Sequence, residues 1–352
     1  MNAFSAIAGL AVRTADLTDP AERARIGAFL AEHAGAEPFH LPAWSLGAER
    51  GCGQRAHYLL AEDGRGIRGV LPLTDVRSPL FGSALVSAGF GVGGGVVGDA
   101  TEALAGAAVD LARRIGVQSL ELRGGPIPSG WHAREGTYAG FARDLPGREE
   151  EILKAIPRKQ RAEVRRAQTM GLDVRVGRSE RDLADHYRVY SESVRNLGTP
   201  VFPRALFRAM LESFGEQADI LTVSKDGRSI ASVLSFYFNG GVYPYWGGGT
   251  AEARALRANE HMYFELMRHA AARGCTRFDF GRSKVGTGAY AYKKNWGFEP
   301  RPLRYAVHAL DGGEPREINP LSPRYRLQVQ LWQKLPLRLA NLLGPWIARG
   351  LG

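Results

Sequence analysis

Cysteine is almost missing from this chain of 352 residues: Cys52 and Cys275 stand far apart, in no CxxC arrangement. That excludes a disulfide framework and a zinc-finger type of metal site, and a reducing cytoplasm is the expected setting. Apolar runs long enough to span a bilayer are missing too. The first residues, MNAFSAIAGLAVRTADL, lack a basic leading region, and Arg13 and Asp16 interrupt their apolar stretch, so no signal peptide is expected. Acidic residues are in deficit, leaving a formal net charge of +10 that favours phosphate-bearing partners: nucleic acid, anionic lipid or a phosphorylated substrate. What remains, 44% hydrophobic and 23% charged residues, is the composition of a globular protein, and the length favours two domains.

The chain repeats an order of elements. HYLLAEDGRGIRGVLPL (57–73) and ILTVSKDGRSIASVLSF (220–236) both read as strand, Asp-Gly turn, strand. Asp63-Gly64-Arg65 then matches Asp226-Gly227-Arg228, the apolar Ile67, Val70 and Leu71 match Ile230, Val233 and Leu234, and Phe39 falls on Phe202. Downstream, each copy continues through a glycine-marked strand end, a helix and a strand, with 116–121 answering 274–279. Duplication of one α+β unit, a mostly antiparallel sheet with helices against it, accounts for this order.

Four stretches carry a family likeness: IPRKQRAEVRRAQTMGL, SVRNLGTPVFPRALF, NEHMYFELM and FDFGRSKVGTGAYAYKKNWGFEP, covering most of 155–305. The unit resembles the GNAT acyltransferase fold. The tandem pair resembles the FemAB/FemX family of peptidoglycan interpeptide-bridge transferases, most of all its branch found with exosortase/PEP-CTERM systems. The resemblance implies two GNAT-like domains, 1–147 and 148–305, the second holding the active site, followed by a basic, partly helical tail, 306–352. It implies an acyl or aminoacyl transferase that forms an amide on an amine of a cell-envelope or exopolysaccharide-related acceptor. Alternatives are a coenzyme A-dependent N-acetyltransferase and a non-catalytic binder of anionic glycan precursors. No bound cofactor is expected. Acyl-CoA or aminoacyl-tRNA is the possible co-substrate, and an anionic small molecule or lipid-linked glycan the acceptor.

Within TRFDFGRSKVGTGAYAYKKNWGF, Phe278 and Phe280 share one strand face and Asp279 takes the other. Gly281, Gly286 and Gly288 then read as a flexible loop delivering Tyr290, Tyr292 and Lys293 to the strand end. By resemblance, Lys293 neutralises the oxyanion formed when an amine attacks the donor carbonyl and Tyr292 packs the donor, a role that chemistry of this kind demands of a placed cation. Asp279 either orients the loop or takes the amine proton, and Arg282 and Lys284 read as anion contacts.

In IPRKQRAEVRRAQ, helical spacing puts Arg158, Arg161 and Arg165 on one cationic ridge with few acidic neighbours, an expected anion-facing surface. Arg204, after the prolines of NLGTPVFPRALF, is a further ligand candidate. GNAT enzymes usually run Gln/Arg-x-x-Gly-x-Gly/Ala into a helix whose bare N–H groups cradle a pyrophosphate. Here Arg257 and Asn259 stand where the glycines would be, with Asn259 read as the helix N-cap, which favours a donor other than acyl-CoA, such as aminoacyl-tRNA. The tail 322–352 carries five basic residues and no acidic one among leucines and tryptophans. It reads either as a segment resting on the inner membrane or as short helices, broken at Pro336 and Pro345, packed back on the domains.

Overall fold

The structure, a computed structural model, describes residues 4–7, 9–310 and 323–352. In chain order its strands are β1 (Phe4–Ile7), β2 (Leu10–Thr14), β3 (Arg55–Asp63), β4 (Gly66–Ser78), β5 (Gly82–Ser87), β6 (Val97–Gly98), β7 (Ser119–Arg123), β8 (His132–Arg134), β9 (Tyr138–Asp144), β10 (Asp173–Gly177), β11 (Ala218–Lys225), β12 (Arg228–Phe238), β13 (Gly241–Gly249), β14 (Arg277–Lys284), β15 (Arg301–Pro302) and β16 (Tyr305–Ala309). The α-helices are α1 (Pro20–Ala31), α2 (Pro42–Cys52), α3 (Thr101–Ile115), α4 (Glu149–Ala155), α5 (Arg158–Gln168), α6 (Glu180–Asn196), α7 (Arg204–Phe214), α8 (Ala258–Ala272), α9 (Gly288–Asn295), α10 (Pro323–Lys334) and α11 (Leu337–Ala348).

Two mixed sheets result. The first has the order β1-β2-β3-β4-β5-β7-β16-β8, with β6 on β4; the second runs β10-β11-β12-β13-β14-β9-β15. The run β2-β3-β4-β5-β7 repeats as β10-β11-β12-β13-β14, so the two Asp-Gly hairpins hold equivalent places, as the duplication requires. Their turns differ by one residue. Asp226 and Gly227 form the second turn with φ of 49° and 76°, whereas Asp63 stays in β3, accepts from Arg65 N at 2.7 Å, and leaves the turn to Gly64 and Arg65.

Among the described residues, one parallel pair in each unit holds for two residues only: Leu85 and Val86 beside Leu120 and Glu121, Gly241 and Val242 beside Arg277 and Phe278. Beyond them the paired strands part. β13 also shifts register between its pairings with Leu234 and Ser235, which leaves Tyr245 as a bulge.

The sheets exchange strands. β9, which precedes residue 147, pairs with β14 and β15 in the second sheet; β16, at 305–309, pairs with β7 and β8 in the first. The chain therefore changes sheet ahead of 147, and the strand opening the tail region is a member of the first unit.

One core joins the units. Trp44 of α2 is fully buried, donates to Gly89 O at 3.0 Å, and its ring lies 4.7 Å from Phe39, 5.3 Å from Phe236 and 5.1 Å from Tyr245. α2 touches α7 closely enough that a β-carbon on Gly51 would come within 2.3 Å of Leu206 Cα. On the far face of the second sheet Phe278, Phe280, Trp296 and Phe298 form a separate core with Met262 and Leu266 of α8, while α3 covers the first sheet with Leu104 and Leu111. Cys52 and Cys275 are free and buried.

The tail packs back as two helices. Pro336 separates them as N-cap of α11, but Pro345 sits inside α11 without ending it, contrary to the expected break there. Gln54 donates to Arg349 O at 2.9 Å and Arg123 to Gly352 O at 2.7 Å. The stretch 311–322 lies outside the described residues. Among the described residues, no helix is long and apolar enough to cross a membrane.

Candidate functional site

β14 carries the first part of the site. As expected, Phe278 and Phe280 face the second-unit core. Asp279 faces the first unit; its carboxylate pairs with Arg277 Nη2 at 2.7 Å and accepts from Gly281 N at 2.9 Å. Gly281, with φ of 69°, supplies the left-handed residue that the irregular pairing of β14 with β9 needs.

The expected flexible loop is shorter than its glycines imply. β14 runs on to Lys284, and Gly288 is already the first residue of α9, capped by Thr287 Oγ1 accepting from Tyr290 N at 3.3 Å. A helix, not a loop, therefore presents the tyrosines and lysine. Tyr290 and Lys293, three apart, share a side. The Tyr290 ring meets Phe141 edge-on at 5.3 Å, and Lys293 Nζ lies 5.4 Å from the Phe141 ring and 5.5 Å from that of Phe280.

Lys293 Nζ donates to the carbonyl of Arg282 at 2.8 Å. Burial lowers its pKa to about 7, with Asp279 opposing the shift and Arg282 adding to it. The ammonium is thus poised between charged and neutral near physiological pH.

Across the boundary between the units stands Glu37, which the sequence reading did not single out. Burial and the charge of Asp279 raise its pKa to about 7 against the pull of Arg277. The glycine-rich stretch of the first unit is shaped around it: a β-carbon on Gly93 would come 2.1 Å from Glu37 Oε2, and one on Gly95 would come 2.0 Å from Gly124 O. Those glycines serve close packing, and Gly95 O meets His40 Nε2 at 3.1 Å. The only sequence signal for Glu37 is its place two residues before Phe39 in the duplicated pattern.

Arg282 is held by both exchanged strands. Its Nη1 donates to Tyr305 Oη of β16 at 2.7 Å, and its guanidinium stacks 4.6 Å from the ring of Tyr138 in β9. Tyr305 Oη in turn donates to Val92 O at 3.3 Å. Although burial opposes it, Arg123, Arg134 and Arg282 together keep the Glu121 carboxyl below its usual range. Arg282 therefore belongs to a fixed network beside Lys293.

Tyr292 points the other way, into the rings of Tyr263 at 6.1 Å and Trp296 at 6.3 Å. Burial, with Glu260 and Tyr263 nearby, raises its hydroxyl pKa far above the usual value; Trp296 and Glu260 lie within reach, but the hydroxyl makes no well-formed hydrogen bond. Its neighbours mark the start of α8. There Arg257, not Asn259, is the N-cap, in left-handed conformation with φ of 55°, ion-paired to Glu163 and donating to Arg254 O at 2.7 Å. Asn259 is already helical, its Oδ1 buried without a partner against Gly249.

The cationic ridge divides. Arg161 folds onto the carbonyls of Lys154 and Ile156, both at 2.9 Å, closing the end of α4. Arg158 and Arg165 are exposed and make no ion pair among the described residues. Arg204 sits at the start of α7, exposed and paired at 3.1 Å with Glu180, which Arg208 also holds; it is not among the groups around Lys293.

Residues 157–294 match the model of the acetyltransferase (GNAT) domain family. No curated protein matches the chain in sequence. Among solved structures, FemX is similar at 16% identity over 80% of this chain and 95% of its own, with a TM-score of 0.63. L-PGS from Bacillus licheniformis is similar at 15% identity over 90% and 98%, TM-score 0.53. A tandem GNAT protein from the clavulanic acid biosynthesis pathway is similar at 11% identity over 87% and 100%, TM-score 0.54. With two sheets of one strand order, a parting parallel pair in each, and this domain match, the chain is an α+β protein built of two tandem GNAT-fold units.

Proposed function

We propose that this chain is an acyl or aminoacyl transferase that joins an activated carbonyl to an amine, with its reaction centre at Lys293 between the units. The observation that carries the reading is the half-buried Lys293 amine, set between the rings of Phe141 and Phe280, fixed by the Arg282 carbonyl and within the field of the Asp279 carboxylate, which Glu37 also feels from the other unit. The acceptor nitrogen forms a bond to the donor carbonyl carbon, and the carbonyl oxygen gains negative charge that the Lys293 ammonium stabilises. Collapse breaks the ester or thioester bond. The nitrogen loses a proton to Glu37 or Asp279, both made more basic by burial, and the leaving hydroxyl or thiol takes one up.

The likeness to FemX and to L-PGS supports the aminoacyl form of the reaction, and the matched domain supports acyl transfer in general. The start of α8 favours a donor other than acyl-CoA, because it carries Arg257, paired with Glu163, and Asn259 in place of the glycines whose bare backbone N–H groups hold a pyrophosphate. An acceptor from the cell envelope or an exopolysaccharide precursor, as in an exosortase-associated branch, fits the surplus of positive charge, with Arg158 and Arg165 as phosphate contacts. Thermal-shift titration with acyl-CoAs, an aminoacyl-tRNA and nucleotide-sugar precursors tests this. Stabilisation by aminoacyl-tRNA supports the reading, and stabilisation by acyl-CoA alone replaces it with an N-acetyltransferase.

A further inference from the structure

α11 is apolar on two opposite sides. Ala340, Gly344 and Ala348, four residues apart, are buried, and a β-carbon on Gly344 would come 2.9 Å from Val201 N. The other side presents Leu339, Leu342, Leu343 and Trp346, a continuous helical stripe between 46% and 73% exposed. Small residues inward and large ones outward reverse the arrangement of a helix whose task is to cover a core. Leu331 of α10 is exposed in the same way, and α10 is fixed to the end of α6 by Arg195 donating to Gln333 O at 3.2 Å and Gln333 donating to Asn196 O at 3.2 Å.

The tail's own charge has one sign. Lys334, Arg338 and Arg349 are exposed, and residues 323–352 contain no Asp or Glu. Beside the stripe, an open groove of about 420 Å³ between α2 and α11 is lined by Gly53, Pro203, Leu342, Trp346 and Arg349, placing apolar and cationic groups on one surface.

We propose that this face of α10 and α11 docks on an anionic membrane surface, with Leu339, Leu342, Leu343 and Trp346 entering the headgroup region and Lys334, Arg338 and Arg349 meeting lipid phosphates. A bilayer asks for apolar area, positive sign and an indole at the interface, all of which this face supplies. A protein partner would have to bring an acidic complement shaped to a convex helix. Neither helix is long enough to cross, so the protein lies on the leaflet. The proposal stands independently of the transfer reaction.

The test is co-sedimentation of the full chain with vesicles of phosphatidylcholine alone and with about one-third phosphatidylglycerol, at low and high salt. The parent should pellet with the anionic vesicles, and added salt should release it. Replacing Lys334 and Arg338 by Gln should weaken binding about fivefold per charge, because each basic residue near an anionic surface contributes that much. Leu342→Gln with Trp346→Gln should abolish binding at unchanged thermal stability, since both side chains are already exposed. Parent protein that ignores anionic vesicles, or a double variant that binds like the parent, overturns the proposal. So does a concentration-dependent dimer that the double variant abolishes while vesicles have no effect, which would assign the face to a second copy of the chain.

Discussion

Tyr245, the residue that bulges from β13, donates through its hydroxyl to the carbonyl of Phe90 at 2.5 Å, so the irregular point of one sheet is tied directly to the other unit. With Trp44 and the exchanged strands β9 and β16, this makes the units one cooperative body. Trp44→Ala should cost about 3–5 kcal/mol, the range for emptying a buried aromatic site. It should lower a single unfolding transition seen by calorimetry; two separated transitions would show that the units fold independently.

Glu37 should make stability depend on pH. Its pKa is raised from near 4.5 to about 7 on folding, so between those values the native state holds more protons than the unfolded one. The stability it contributes is full below about 4.5 and is lost as pH rises to about 7. Relative to the parent, Glu37→Gln should flatten the fall in Tm across that window. Identical pH profiles for the two proteins would remove Glu37 from the coupled group.

Coenzyme A should leave the protein's Tm unchanged even at about 1 mM, because binding is what would shift it. At the start of α8 the Arg257 guanidinium is ion-paired to Glu163 and donates to Arg254 O, and no glycine stands there to leave the backbone N–H groups bare. A shift of several degrees would contradict that reading of the site.

Arg158 and Arg165 should act together as an electrostatic surface. Changing both to Gln should weaken binding of a phosphate-rich ligand and lower its salt slope by about one unit for each phosphate no longer neutralised. Arg161 is left intact because it closes α4 through backbone carbonyls. An unchanged slope would mean that both arginines are only solvated.

Much of the second unit was legible in the sequence, because local signals settle it: the Asp-Gly hairpin and the alternation of Phe278, Asp279 and Phe280. The strand exchange was not. β9 and β16 look like ordinary short strands, and nothing local says that their partners lie in the other half. Glu37 escaped for the same reason, since the charges that perturb it, Asp279 and Arg277, lie in the other unit. Three glycines misled the reading of 281–288: only Gly281 and Gly286 use positive φ, and Gly288 starts a helix. The arginine ridge does lie on a helix, but spacing could not reveal that Arg161 would turn back onto Lys154 and Ile156.

Lys293 gives the most direct test of the account. Lys293→Met keeps most of the side chain's length and removes its charge. With an identified donor and acceptor, steady-state kinetics should show kcat lowered about 10²- to 10³-fold, as for loss of one oxyanion-stabilising group, with donor affinity and Tm close to the parent's. Because the parent amine has a pKa of about 7, parent kcat should also fall as pH rises through that value, and the variant should lack that limb. Parent-like kcat in Lys293→Met would contradict the central claim and leave α9 as a structural helix.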